Sequence, residues 1–435
     1  MVELPNNTLV EREEEMCSPT SCSTTCVEKL LSDIDPAVSR ILDKALADVE
    51  ITPEEGLTLF QTHGRELQAL ILTADAIRRA KVGEQVTFVV VRNINFTNIC
   101  YTGCRFCAFA KHRDDPQAEF LSLEEIAARA EEAWKRGATE VCIQGGLHPD
   151  IDASHYRDIL VAIKSRVPGI HIHAFSPFEI KYGSQRSRLS VEGFLRMLRE
   201  HGLGSIPGTA AEILDVEIRR KLTRNKLSAE EWVNIIKTAH RLEIRSTCTI
   251  MYGHIDAPEH WVAHLALLRD IQKETGGFTE LVPLGFVHWD APIYLAGEAR
   301  PGPTGTEDLR MHAVARIMLN NWINNIQVSW VKLGPKVAQF ILTAGANDFG
   351  GTLMNESISR AAGSPYGQEV TPLEMCRMIR ELGRIPARRS TLYKILEVYD
   401  DHDPRDLPPL VSRSVREAHS DLRQGALPLR GTDFV

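Results

Sequence analysis

From residue 86 onward the chain alternates short β-branched and apolar runs with longer amphipathic stretches, and no other feature restricts its fold as tightly. The short runs begin at Val86 (VTFVVVRN), Thr139 (TEVCIQG), Gly169 (GIHIHAF), Gly202 (GLGSIP), Arg245 (RSTCTIMYG), Phe278 (FTELVPL), Asn325 (NIQVSWV) and Ala346 (ANDFGG). Between them lie helical patterns such as LEEIAARAEEAWKRG from Leu123 and SAEEWVNIIKTAHRLE from Ser228. Several of the short runs are apolar throughout, which suits parallel strands covered by helices. Eight βα units over about 260 residues have the size and rhythm of a (β/α)8 TIM barrel, fold class α/β, with a doubly wound open sheet as the structural rival. The expected organisation is a disordered polar tail over 1–26, a helical preface over 27–85, the barrel over 86–370, and a C-terminal helical segment and extension over 371–435. Thr52-Pro53-Glu54-Glu55 carries the cap, proline and first-turn acids of a helix start in the preface.

The balance of 50 basic against 58 acidic residues, a net charge of −8, leaves no electrostatic footprint for nucleic acid or an anionic membrane. No apolar run approaches the ~20 residues that span a bilayer. The start, MVELPNNTLVEREEEMC, is acidic without an apolar signal core, so a soluble cytoplasmic protein is expected. Nine cysteines in 435 residues are too sparse for a disulfide scaffold. Cys17, Cys22 and Cys26 fall in the polar tail, where an auxiliary metal site would have no preformed geometry.

Chemistry in a barrel sits where strands end and βα loops begin. Directly after the first run comes NFTNICYTGCRFCAFAKH, with Cys100, Cys104 and Cys107 within eight residues. Thiolates are ligands of soft metals and iron–sulfur clusters, and three of them around a four-iron cubane leave one iron open. Two other readings remain: Cys107-x4-His112 would complete a Cys3His zinc site, and the cysteines could be reduced core residues. After the second run, Gly145-Gly146 form a tight turn that would let backbone carbonyls approach a bound amine. His171 and His173 share one face of the third run, where they bind substrate, fill the interior or, with His254, His288 and Asp348, hold a hydrolytic metal. That last arrangement, a metal-dependent TIM-barrel hydrolase, leaves the cysteine triplet unused. Gly202-x-Gly204 begins a dinucleotide fingerprint that Pro207 breaks.

The C-x3-C-x2-C spacing with Phe106 before its last cysteine resembles the signature of the radical S-adenosylmethionine (SAM) superfamily. The blocks NINFTNIC, QGGLHPD, IHIHAFSP, GLGSIPGTAAEIL, TIMYGHI, GFVHW, NIQVSWVKLG and NDFGGTLMNESISRAAG resemble, in order, the family of the second subunit of deazaflavin (FO) synthase. The futalosine synthases of menaquinone synthesis (aminofutalosine and cyclic dehypoxanthine futalosine synthase) are similar to it. The resemblance implies a [4Fe-4S] cluster on the three cysteines and SAM chelated by the free iron. Phe106, Gly145, Gly146 and Glu212 then lie at the cofactor, although Leu147 stands where many members have a glutamate, and Glu212 is as readily a first-turn acid favoured by a helix dipole. A 5′-deoxyadenosyl radical would take a hydrogen atom from L-tyrosine, whose Cα–Cβ bond breaks. The 4-hydroxybenzyl fragment would join C5 of 5-amino-6-(D-ribitylamino)uracil, the remainder leaving as 2-iminoacetate. His171, His173, Glu179, His254, His288, Asn347, Ser357 and Arg360 are the residues offered for the tyrosine carboxylate and the ribityl chain. Implied partners are FO synthase subunit 1 and a low-potential electron donor such as ferredoxin or flavodoxin.

Overall fold

The computed structural model describes residues 34–399. The expected polar tail with Cys17, Cys22 and Cys26, and the extension past 399, lie outside the described residues.

The first apolar run folds as two strands in line, β1 (Gln85–Val89) and β2 (Val91–Asn95), with a break at Val90. The break matters because each half pairs differently. β2 opens a six-stranded parallel sheet that continues through β3 (Glu140–Gln144), β4 (His171–Ala174), β5 (Ser205–Ile206), β6 (Arg245–Tyr252) and β7 (Phe278–Gly285). β1 instead pairs in parallel with β8 (Asp348–Gly351). Two parallel bridges, Leu281 to Ile326 and Gln327 to Asp348, carry the curled wall from β7 across to β8. The run expected as a strand at Asn325 is thus reduced to two bridges. Its Ile326 N–H is bonded by the Asn347 side chain at 2.9 Å instead of a neighbouring strand. The result is a curled, parallel α/β barrel wall.

Helix starts are strongly written. Ser122/Glu125, Ser176/Glu179, Ser228/Glu231, Thr304/Glu307 and Thr371/Glu374 each form a reciprocal capping box, satisfying two backbone donors apiece. In the preface, Thr52 and Glu55 do the same for Pro53–Phe60. Phe60 meets Trp261 edge-on at 5.3 Å, fixing this preface on the outer helix Pro258–Thr275. Helix Gly64–Val82 lies along helix Gly305–Met318.

The C-terminal part differs from expectation. Only Pro372–Glu381 of the segment read as helical is a helix; β9 (Ile385–Arg389) and β10 (Ile395–Val398) follow as an antiparallel pair. β9 pairs in parallel with β1 on the edge opposite β8, from Gln85↔Ile385 to Phe88↔Arg388. The physical cause is an ion pair: Arg389 at the strand end enters the barrel and binds Asp348 through Nε at 2.5 Å and Nη2 at 3.0 Å. A chain that ends its strand on a buried guanidinium reads as a basic helix face when periodicity alone is counted.

Candidate active site

The chain leaves β2 through Phe96, whose buried ring packs edge-on against Phe175 and Tyr156. The cysteine loop that follows is held at its root by bridges from Thr97 to Phe120 and from Ile99 to Lys111. Cys100 N–H donates to the Lys111 carbonyl at 3.1 Å, and Cys107 N–H to the Cys104 carbonyl at 3.2 Å. Gly103, with φ +64°, makes the turn between the first two cysteines in the left-handed region that glycine enters at least cost. From outside, Arg105 N–H donates to the Leu222 carbonyl at 2.9 Å and its own carbonyl accepts from Ile293 at 2.8 Å. All three thiols are free and half-buried, and all three line one chamber of about 430 Å³ inside the barrel mouth. Among the described residues their side-chain hydrogen-bond partners are hydroxyls: Thr102 sits 3.2 Å from Cys100 Sγ and 3.4 Å from Cys104 Sγ, and Thr223 lies 3.5 Å from Cys104 Sγ. Burial, then the neighbouring Cys104, pushes the Cys107 thiol up.

Among the described residues no three His, Cys, Asp or Glu side chains close on one point as a single ion requires. His112, the fourth ligand of the zinc reading, is 84 % exposed and faces Asp114 at 3.4 Å. Three chamber-facing thiols on a braced loop fit a sulfur-ligated cluster of several irons better than one tetrahedral ion. Gly146 makes that loop possible: a Cβ there would collide with the Ile99 carbonyl and come within 2.9 Å of Cys100 Cβ. Its N–H donates to the Thr97 carbonyl at 2.8 Å, while Gly145 N–H donates to Glu179 Oε1 at 3.0 Å.

Glu179, the third residue of the helix Pro177–Arg186, is buried against the chamber. Burial pushes its carboxyl up to about 7, against the hydrogen bonds from Ser176 and Gly145. Beside it Lys226 Nζ stands 5.0 Å over the Phe106 ring and pairs with Glu212 Oε1 at 2.5 Å. Burial pulls on the Lys226 charge, yet Glu212 and Cys104 hold its ammonium above the ordinary lysine value. Glu212 adopts φ +42°, unusual for a residue with a side chain, and its Oε2 has no hydrogen bond.

His173 Nδ1 and His171 Nε2 share one hydrogen-bond partner, the Ser205 hydroxyl, at 2.7 and 2.8 Å. Burial takes the two rings down to about 3 and about 4, so both are neutral. Of this pair only His173 lines the chamber. The chamber thus gathers Cys100, Cys104, Cys107, Phe106, Gly145, Gly146, Glu179, Glu212 and His173 from the sequence reading. The structure does not bring the other expected residues there. His254 is fixed under the wall, its Nδ1 accepting from Ile255 N–H at 2.7 Å and its Nε2 3.1 Å from the Met251 carbonyl. His288 stacks on Trp289 at 4.5 Å. Asn347 ties Arg316 to Ile326, Ser357 donates to Asn95, and Arg360 is exposed. Residues the sequence reading missed include Lys226, Lys332, Glu140, Glu280, Glu356, Ser359 and Arg389, all on the chamber wall. Only Lys332 and Glu356 carried a signal, as charges just past the expected seventh and eighth strands.

A thiol-bearing loop after the first barrel strand defines a class, and the Radical SAM superfamily model matches residues 94–268. The CofH/MqnC C-terminal region matches residues 275–402. The 5-amino-6-(D-ribitylamino)uracil–L-tyrosine 4-hydroxyphenyl transferase of Methanothermobacter thermautotrophicus is 52 % identical, covering 84 % of this chain and 99 % of its own. The chain belongs to that family of radical SAM enzymes. The FO synthases of Mycobacterium leprae and Streptomyces coelicolor are 55 % and 49 % identical over 79 % and 88 % of this chain. This chain spans 40 % and 45 % of their lengths. Among solved structures, methylornithine synthase superposes with a TM-score of 0.64 at 19 % identity, covering 80 % of this chain and 97 % of its own. The hydrogenase maturase HydG from Carboxydothermus hydrogenoformans gives 0.65 at 17 %, covering 86 % of this chain and 84 % of its own. Among the described residues no helix is long and apolar enough to cross a membrane.

Proposed function

We propose that this chain transfers the 4-hydroxybenzyl group of L-tyrosine to C5 of 5-amino-6-(D-ribitylamino)uracil, using a [4Fe-4S] cluster and SAM. The observation that carries the reading is the convergence of three free thiols on one chamber of about 430 Å³, in a chain that matches 99 % of the length of a transferase of that name. Cys100, Cys104 and Cys107 would hold the cluster, which with SAM supplies a one-electron cleavage that leaves a carbon radical able to abstract hydrogen. Everything else is the work of the chain. Gly146 brings the β3 turn against the cysteine loop, so backbone, not a mobile side chain, sets the distance between them. The Lys226–Glu212 pair, packed over Phe106, fixes a buried polar edge beside the thiols. Apolar walls from Val89, Val91, Val282, Leu284 and Phe286 give a radical centre a dry flank, and the chamber would hold the two reactants near one another. The transfer breaks the tyrosine Cα–Cβ bond and forms one bond from that Cβ to the uracil C5, the glycyl remainder leaving as 2-iminoacetate and the abstracted hydrogen atom ending on 5′-deoxyadenosine. FO synthase subunit 1 as the next catalyst, and ferredoxin or flavodoxin as electron source, complete the proposed setting.

The test is anaerobic reconstitution followed by incubation of the reduced protein with SAM, L-tyrosine and the ribityl diaminouracil. About four irons per chain, 5′-deoxyadenosine and the 4-hydroxybenzyl adduct are expected. Turnover of a futalosine-type substrate without the adduct would overturn the assignment.

A further inference from the structure

The wall that follows the Ile326–Gln327 segment and β8 holds a charged group with unused capacity. Lys332, in the short helix Trp330–Leu333, points its ammonium into the chamber. Among the described residues its one hydrogen-bond partner is the Ser359 hydroxyl, at 2.6 Å, and it makes no ion pair. An ammonium carries three donors, so two remain for a ligand. Ser359, having accepted from lysine, keeps its own proton to donate. Ser359 N–H is bound by both oxygens of Glu356, at 2.8 and 3.1 Å, and the Glu356 carboxylate is 4 % exposed and also lines the chamber. A cation with a hydroxyl, next to a carboxylate, with no bond joining the two charges, is complementary to the two ends of an α-amino acid.

Strand order places this group away from the Gly145–Gly146 turn. The turn, Glu179 and Glu212 follow β3, β4 and β5; Lys332 and the Glu356–Ser359 segment follow the seventh and eighth members of the ring. The cysteine loop follows β2, between the two sectors. The chamber therefore has two separate polar walls, one on either side of the cysteine loop.

We infer that Lys332 with Ser359 anchors the α-carboxylate of the substrate amino acid, and that Glu356 receives its α-ammonium. The inference rests on the transferase reading and gives that site its amino-acid clamp. It makes the three residues substrate-positioning groups, holding the Cα–Cβ bond in a fixed place while the aromatic end extends into the apolar part of the chamber. An α-carboxylate could also come from SAM, and the experiment separates the two sources.

Equilibrium dialysis on the cluster-reconstituted chain, in the presence of SAM, measures binding of L-tyrosine, of tyramine (no carboxylate) and of 3-(4-hydroxyphenyl)propanoate (no ammonium). Lys332→Met should weaken L-tyrosine about 30-fold, the scale of one lost charge-assisted contact, while tyramine binding stays within about twofold. Glu356→Gln should weaken L-tyrosine and leave the propanoate within about twofold. Lys332→Arg should recover part of the loss, and Ser359→Ala should give a smaller loss of the same sign; these milder changes guard against a variant that fails to fold. Undiminished tyrosine binding by Lys332→Met, with the adduct still formed by the wild type, overturns the clamp alone. A loss of SAM affinity in place of tyrosine affinity assigns the lysine to the co-substrate and also overturns it. A wild-type protein that binds no L-tyrosine takes down clamp and transferase reading together.

Discussion

The mouth and the floor of this barrel are both polar and both buried, yet they are satisfied to opposite degrees. At the floor Arg389 is clamped to Asp348, Thr87 donates to the same carboxylate at 2.5 Å, and Glu280 accepts from Tyr393 at 2.5 Å and Gln327 at 3.1 Å. These groups have spent their bonding on one another. At the mouth, among the described residues, the thiols' side-chain hydrogen-bond partners are hydroxyls, Lys332 uses one donor of three, and Glu212 Oε2 accepts no hydrogen bond, meeting Arg219 at 3.6 Å. A low-dielectric interior punishes unpaired polar groups, so unpaired ones persist where a ligand completes them. The floor is where charge holds the fold; the mouth is where charge waits for chemistry, as expected for the two ends of a barrel of this type.

The sharpest break of that contrast is Cys104→Ala. Two thiolates do not hold the cubane, so reconstituted iron and all SAM cleavage should disappear while the unfolding midpoint of the cluster-free chain moves little. Retention of 5′-deoxyadenosine formation by that variant would remove the cluster from this loop. Arg389→Met makes the opposite cut. It strands Asp348 and Glu280 in the interior without their cation, at a cost of about 3–5 kcal/mol. Urea unfolding should register that loss; a variant as stable as the wild type would show that the floor network carries no structural load.

Glu179 sharpens the comparison because it belongs to the mouth but is satisfied like a floor residue. Its folded carboxyl stands at about 7 against an ordinary value of 4.5. The folded chain therefore binds the proton more tightly than the unfolded chain, and the group's contribution to stability is fully present below about 4.5 and lost as pH rises through about 7. Glu179→Gln removes the titration. The stability advantage of wild type over variant should shrink by about 2–3 kcal/mol between pH 4.5 and pH 8. Urea midpoints at both pH values check it, and a pH-independent difference would mean the folded carboxyl titrates normally.

What the chain discloses of itself follows the range of the interactions involved. The βα rhythm and the cysteine loop are local: three thiols in eight residues at a strand end need no partner from afar to be noticed. Layer position is also legible, since strand ends are readable, but side-chain direction is not. His254 and His288 stand just past strands, as expected, yet one is bonded back to its own backbone and the other stacks on Trp289. Lys226 looks like any surface lysine until the opposing walls are present. The β9 strand was hidden for the same reason: its partner β1 lies about 300 positions earlier, a contact seen again where Arg384 Nη2 donates to the Gln85 carbonyl at 3.3 Å. Contacts of that span leave no periodic trace in the segment that makes them.

The smallest expected effect discriminates most cleanly between a cluster and a single zinc at the mouth. His112 lies five residues past Cys107, at the spacing that would complete a Cys3His set, so the sequence offers it as readily as it offers the cysteines. The fold treats the two differently. The thiols face inward on a loop braced by Lys111, whereas the His112 ring is turned out to solvent beside Asp114, an arrangement worth little to stability. His112→Ala should therefore leave reconstituted iron and sulfide content, SAM cleavage and the unfolding midpoint unchanged within error. Loss of bound metal in that variant, with zinc in place of iron in the wild type, would show that the loop swings to bring the imidazole inward, and the mouth would then hold a closed structural ion with no open coordination position.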